Sequence, residues 1–244
     1  MIDIHSHILP GLDDGPDDIG ESIRMCRMAA DDGIHTIVAT PHMLKGIYHF
    51  SKKDVLKKVE KLNSAIKAKN IPLTILPGAE IVIDPNILAL IHKGDLLTMN
   101  NCGSHVFLEL TDYFPKEQIE NFIKNLIDNY VIPIISHPER NITIQKNINI
   151  LSRFVKAGAL SQITAMSITG DFGTCAQKTS KEILKSGLAH VIATDAHSST
   201  WRPPILSNGV RAAKKIIGED NAIKMVTKTP ELIIQERDYN RRKK

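Results

Sequence analysis

Histidines and carboxylates recur in short, closely spaced groups along this chain. They are His5-Ser6-His7, Asp13-Asp14, Thr40-Pro41-His42, Gly78-Ala79-Glu80, Glu109 within VFLEL, His137-Pro138-Glu139-Arg140 and Asp195-Ala196-His197. Imidazole mixed with carboxylate is a donor set for Mn²⁺, Fe²⁺ or Zn²⁺ rather than for Ca²⁺ or Cu⁺. In an extended strand, side chains two residues apart share a face, so His5 and His7 can reach one ion. Glu109 stands among apolar neighbours, where an ionised carboxylate is costly unless it is paired or metal-bound. Each group alone has an ordinary explanation. A histidine at a strand end can be a hydrogen-bonded structural residue, and a carboxylate after a strand, such as Asp14 or Asp195, can be a helix N-cap. It is the repetition that points to metal.

Counting one of the Asp13-Asp14 pair and leaving Glu139 aside, there are nine candidate ligands, too many for one ion. They suit a bi- or trinuclear site with a bridging carboxylate. Four carboxylates against three divalent ions leave a surplus of two positive charges. That surplus suits a bridging hydroxide and a dianionic phosphate, as in hydrolysis of phosphate esters. Arg140 and Arg202 closely follow the two later motifs. Arginine grips phosphate through its planar fork, so both are candidate catalytic and substrate-binding residues. Their alternative is a surface ion pair of little worth.

These groups need elements that bring them to one place. Residues 2–5, 35–40, 73–76, 106–110, 131–136, 160–164 and 190–194 read as strands, each with a candidate ligand at or just beyond its C-terminal end except the sixth. Residues 17–32, 52–69, 116–129, 148–156, 178–185, 210–217 and 222–227 read as helices, and His92 falls in a further helical stretch. In residues 52–69, Val55, Leu56, Val59, Leu62 and Ile66 share one helical face. Alternating strand and helix predicts an α/β fold with a parallel sheet, and seven units favour a distorted (β/α)7 barrel over an open sheet. Active sites of such barrels lie at the C-terminal ends of the strands. His35, His105 and His190 begin strands and so face the opposite end, while His49 lies in a loop within possible reach of substrate.

At 244 residues the chain has the length of one such barrel, expected over residues 1–234 with a basic tail at 235–244. The net charge of +4 is mild and well mixed, and no basic, aromatic-rich strip argues for nucleic acid. Three dispersed cysteines, odd in number, argue against a disulfide framework, and none begins a Cys-x5-Arg motif, which disfavours a thiol phosphatase. No run reaches the roughly 20 apolar residues of a membrane span, and the first residues lack the pattern of a secretory signal. A cytoplasmic protein is the expectation. A purely structural metal module is disfavoured, because such sites are usually closed and rich in cysteine.

The motifs DIHSHILPGLDDGP, TPH, GAE, LEL, SHPER, TDAH and RPP resemble the bacterial PHP superfamily, and within it the CpsB/CapC/YwqE group of metal-dependent protein-tyrosine phosphatases. The segment QITAMSITGDFG is also similar to that group, and the resemblance runs from Met1 to about Pro204. It departs at Leu108-Glu109-Leu110, where the family often has Ile-Glu-Phe. The resemblance implies a PHP-type barrel holding up to three divalent ions. Mn²⁺ is the ion implied first, with Fe²⁺ or Zn²⁺ as alternatives. It implies His5, His7, Glu80 and Asp195 for one ion, Glu80, Glu109 and His137 for the second with Glu80 bridging, and Asp14, His42 and His197 for the third. The choice of Asp14 over Asp13 rests on the resemblance. It further implies attack by a metal-bridged hydroxide on phosphotyrosine in the tail of a bacterial tyrosine kinase that regulates capsule or exopolysaccharide synthesis. A small-molecule phosphatase such as histidinol-phosphate phosphatase is the nearest alternative, and a PHP-type nuclease a further one.

Overall fold

Strands of β-branched residues alternate with helices that are apolar on one face, and every strand pairing is parallel. A computed structural model describes residues 1–43, 48, 50–111 and 115–235. The expectations for His49 and for the tail from residue 236 onward lie outside the described residues. The strands are β1 (Ile2–Ser6), β2 (Thr36–Ala39), β3 (Thr74–Pro77), β4 (Glu80–Val82), β5 (His105–Glu109), β6 (Ile132–Ile135), β7 (Leu160–Thr164) and β8 (Val191–Ala193). The helices are α1 (Ile19–Asp31), α2 (Lys52–Ala68), α3 (Ile87–Lys93), α4 (Lys116–Asp128), α5 (Ile142–Lys146), α6 (Asn149–Lys156), α7 (Ala165–Thr169), α8 (Gly173–Lys185), α9 (Ser207–Ile217), α10 (Glu219–Lys224) and α11 (Lys228–Ile234). No helix among the described residues is long and apolar enough to cross a membrane.

Hydrogen bonding divides the strands into sheets ordered β1-β2-β3 and β4-β5-β6-β7-β8. The two seams are bridged at the C-terminal ends. Ser6 pairs with Ala196, and His42 pairs with Glu80. The backbone N–H of His7 donates to Ala196 O and that of Asp195 to His5 O, both at 2.8 Å. The result is a distorted α/β barrel. Its third unit holds two strands, because Gly78-Ala79 breaks the run from β3 to β4 and lets β4 take up a new neighbour. A Cβ at Gly78 would meet Val38 Cγ1 at 2.7 Å and Ala39 O at 3.2 Å, so a larger residue would push β2 away there.

Strand alternation sorts the core into two layers. Val106, Leu108, Ile135, Ile163 and Ile192 face outward into the layer shared with the helices. Val38, Phe107, Ile134, Val191 and Ala193 face the other way, into a smaller cluster with Ile2, Ile4, Met99 and Ile233. Ile233 comes from α11, and Asn100 Nδ2 donates to Ile234 O at 2.9 Å, so α11 closes that layer. The sequence reading missed α5, α7, α11 and β4, each seven residues or fewer. It also began α8 at residue 178, whereas the helix starts at Gly173, because its first turn is polar and exposed.

Candidate metal centre

The first strand sets the pattern. The register of β1 against β2 shifts between Asp3 and Ser6, and His5 and His7 converge with Nε2 atoms 3.3 Å apart. Glu80 opens β4 and meets both. Its Oε2 lies 3.2 Å from His5 Nε2, 3.5 Å from His7 Nε2 and 3.3 Å from His42 Nδ1, while Oε1 lies 3.0 Å from His137 Nε2. Asp195 Oδ1 lies 3.3 Å from His5 Nε2 and 3.5 Å from His7 Nε2. Glu109 stands 3.8 Å from both His42 and His137. It is the last residue of β5 and half-buried, rather than enclosed in the apolar strand as the sequence suggests. Asp14 Oδ1 lies 3.3 Å from His197 Nε2, 3.7 Å from His7 Nδ1 and 3.9 Å from His42 Nε2. Seven of the nine candidate ligands line one open cavity of about 490 Å³, and the other two, His5 and His7, contact Glu80 and Asp195 in its wall.

The backbone is bent to achieve this. His137 (φ 31°) and Asp195 (φ 53°) both adopt left-handed conformations. Histidine and aspartate tolerate that region better than most residues, and strain of this kind gathers at functional sites. The Asp13-Asp14-Gly15 turn packs directly on the chain at His7, where a Cβ on Gly15 would fall 2.2 Å from His7 O.

The donor set fits divalent ions. Four overlapping groups each bring their ligand atoms within 4.8 Å of one another: His7/Asp14/His42/His197, His5/His7/Glu80, His5/His137/Asp195 and His42/Glu80/Glu109. Three rings also have their second nitrogen engaged. His5 Nδ1 donates to Gln162 Oε1 at 3.1 Å, His7 Nδ1 to Asp13 Oδ2 at 2.6 Å, and His197 Nδ1 to Asp195 O at 2.9 Å. Each leaves Nε2 facing the cluster, which is how metal-ligating histidines are oriented.

The electrostatics agree. Burial pushes the Glu80 carboxyl up, but the charges of His5 and His137 outweigh it and hold Glu80 well below its ordinary range. Burial, then the nearby Glu80 charge, raises Glu109 to about 7. Burial, then Arg140, lowers His137 to about 4, favouring the neutral ring a metal needs. Burial would depress His7, yet hydrogen bonds to Asp13 and Glu80 raise it to about 10. A divalent cation would replace that proton.

Both arginines reach the same wall. Arg140 Nη2 and Arg202 Nη2 each pair with Asp195 Oδ2, and both side chains line the cavity.

The neighbours Asp13 and Asp14 have different surroundings. Asp14 is 49% exposed and turns its oxygen to three imidazoles. Asp13 is buried beneath, holding His7 Nδ1 and accepting from the backbone N–H groups of His42 and Gly15. Sequence reasoning also missed Gln162, whose Oε1 takes both the His5 ring and the His137 N–H, and Asp3, which joins β1 to β8 through Thr194. Strand periodicity places Asp3 two residues before His5, and this was the one available signal. Gln162 opens the segment QITAMSITGDFG, and the family resemblance of that segment was its one signal.

Comparison with known proteins places these features in a family. The profile of the CpsB/CapC family, described as capsular polysaccharide synthesis, matches residues 1–235. The chain is 36% identical over 236 residues to the tyrosine-protein phosphatase YwqE of Bacillus subtilis, covering 96% of this chain and 92% of that one. It is 27% identical over 241 residues to the tyrosine-protein phosphatase CpsB of Streptococcus pneumoniae, covering 97% and 99%. A crystal structure from work on those two proteins, described as unique metal-dependent tyrosine phosphatases, superposes with a TM-score of 0.92 at 35% identity over 97% of this chain and 95% of that one. Histidinol phosphate phosphatase of Lactococcus lactis shares the fold, with a TM-score of 0.55 at 15% identity over 88% of this chain and 92% of that one. The chain belongs to the CpsB/CapC family of capsular polysaccharide synthesis proteins.

Proposed function

We propose that this chain is a metal-dependent protein-tyrosine phosphatase. It works in the cytoplasm on phosphotyrosine in the tail of a bacterial tyrosine kinase that governs capsule or exopolysaccharide synthesis, and Mn²⁺ is its preferred ion. The observation that carries this reading is one cluster of nine imidazole and carboxylate groups, seven of them lining a cavity that two guanidinium groups also line. His5, His7, Glu80 and Asp195 would hold one ion, Glu80, Glu109 and His137 the second, and Asp14, His42 and His197 the third. When bound, such ions supply a nucleophile from water near neutral pH and positive charge for phosphate oxygens.

The chain's own residues do the rest. Asp13 and Gln162 fix the rings of His7 and His5 so that Nε2 faces inward. Asp195 serves both halves of the site, with Oδ1 toward His5 and His7 and Oδ2 toward the arginines. A guanidinium has five N–H donors, so Arg140 and Arg202 keep donors for a phosphate after pairing with Asp195. A tyrosyl leaving group has a pKa of about 10 and needs less help from a proton donor than an alkoxide.

The test compares turnover of a phosphotyrosine peptide with that of histidinol phosphate, before and after chelation and after adding back Mn²⁺, Fe²⁺ or Zn²⁺. Faster peptide turnover, lost on chelation and best restored by Mn²⁺, is expected. Preference for histidinol phosphate would overturn the protein-phosphatase reading, and full activity in chelated protein would overturn the metal reading.

A further inference from the structure

Phe172 lies in the turn between α7 and α8, is not among the residues that line the cavity, and has no task in the proposed function. Its ring is nevertheless the shared neighbour of both arginines. The guanidinium carbon of Arg140 lies 4.9 Å from the ring centroid, and that of Arg202 lies 5.4 Å from it. Both distances fall within the roughly 6 Å over which an aromatic face attracts a cation.

The two guanidiniums need such a neighbour. They carry like charges and converge on one carboxylate oxygen, Asp195 Oδ2. The Nε of each is buried with no hydrogen-bond partner among the described residues. A second carboxylate at position 172 would offset their repulsion, but it would also occupy their N–H donors and compete with an incoming phosphate. An aromatic face attracts the cations through its quadrupole and leaves the donors free.

The turn that presents Phe172 is well held. Asp171 N donates to Met166 O and Gly173 N to Gly170 O, both at 2.9 Å. Gln177 Nε2, from α8, donates to Thr169 O at 3.0 Å. The Arg140 segment is tied to the same body. Glu139 Oε1 accepts from Thr164 N at 3.0 Å and from Ser167 Oγ, in α7, at 2.6 Å.

We propose that Phe172 is a positioning residue whose ring face braces Arg140 and Arg202 as a phosphate-binding pair. It acts through the arginines and does not itself touch substrate. The inference rests on the phosphate role given to those arginines under the proposed function.

The test uses the metal-loaded protein and its variants Phe172→Leu, Phe172→Met and Phe172→Tyr. Binding of inorganic phosphate is measured by calorimetry, alongside metal content, unfolding midpoint, and KM and kcat on a phosphotyrosine peptide. Leu and Met keep apolar bulk without a π face, so whichever of them remains folded serves as the probe. Phosphate affinity is expected to fall roughly tenfold in these variants, a size within reach of a partly desolvated cation–π contact. KM should rise in parallel, kcat should change less, and metal content should stay the same. Phe172→Tyr should bind phosphate like the wild type. In an Arg140→Ala, Arg202→Ala background, Phe172→Leu should have no further effect on phosphate binding. Wild-type phosphate affinity in Leu or Met, or an equal loss in Tyr, would overturn the bracing role. A wild type that binds phosphate but ignores phosphotyrosine would overturn the proposed substrate while leaving the Phe172 comparison intact. A wild type that binds no phosphate would overturn the cradle itself.

Discussion

Replacing Asp13 with asparagine tests whether the proposed centre depends on a residue assigned to orient a ligand rather than to be one. Asp13 uses both carboxylate oxygens. Oδ2 accepts from His7 Nδ1 at 2.6 Å and from His42 N at 2.9 Å, and Oδ1 accepts from Gly15 N at 3.1 Å. Asparagine has a single acceptor oxygen. Whichever way its amide turns, an NH₂ group meets either the Gly15 N–H or the His7 and His42 donors. A buried donor left without an acceptor costs about 1–3 kcal/mol, and stability should fall by that order. Loss of a group that orients a metal-ligating histidine typically lowers metal affinity or activity about 10- to 100-fold. That corresponds to roughly 1.4–2.7 kcal/mol. The single tryptophan, Trp201, has its ring centroid 5.9 Å from that of His197, so its fluorescence can follow a Mn²⁺ titration. Asp13→Asn should shift the titration to higher Mn²⁺ while reaching full stoichiometry. Asp14→Asn should instead lower the stoichiometry by one ion. Wild-type affinity in Asp13→Asn, or a lost ion in Asp13→Asn with none lost in Asp14→Asn, would refute the division of labour between the two.

Further outcomes follow from the same geometry. Glu109→Gln should lower occupancy of the second ion and cut turnover by at least tenfold while the fold survives; unchanged metal content and turnover would remove Glu109 from the site. Arg140→Ala and Arg202→Ala should each impair turnover without emptying the metal site, and lysine should rescue poorly because it lacks the bidentate fork; wild-type rates in both alanine variants would leave the arginines as structural charges. Thiol alkylation should not affect turnover, since burial pushes the Cys26 thiol up to about 12 and no cysteine belongs to the ligand groups; inactivation with the fold intact would contradict this. Ile233→Ala should destabilise the protein by about 2–4 kcal/mol through a cavity at the closed end of the inner core, with turnover per folded molecule retained; an unchanged unfolding midpoint would show that α11 does not seal that layer.

Much of this protein is legible in its sequence because the relevant signals are local. Short runs rich in apolar and β-branched residues mark β5 and β6, and apolar spacing near 3.6 marks α2 and α4. His5-Ser6-His7, His137-Pro138-Glu139-Arg140 and Asp195-Ala196-His197 announce themselves because each is a cluster within a few residues of a strand end. A strand end fixes where its side chains emerge, so the sequence by itself determined that these candidate ligands face one end of an α/β barrel. The sequence could not divide Asp13 from Asp14, since both occupy one turn and only contacts with His7 and with the more distant His42 and His197 tell ligand from orienter. Nor could it reveal β4, because three residues after Gly78-Ala79 carry too short a pattern, and their pairing depends on neighbours far along the chain. Gln162 and Phe172 were legible only as members of QITAMSITGDFG, a segment that does not show what they touch. Their partners lie from about 25 to about 160 residues away, and periodicity records only which face of its own element a residue occupies. Which side chains meet across the barrel is set when the helices pack and the two seams close, so those contacts were decided by the tertiary structure alone.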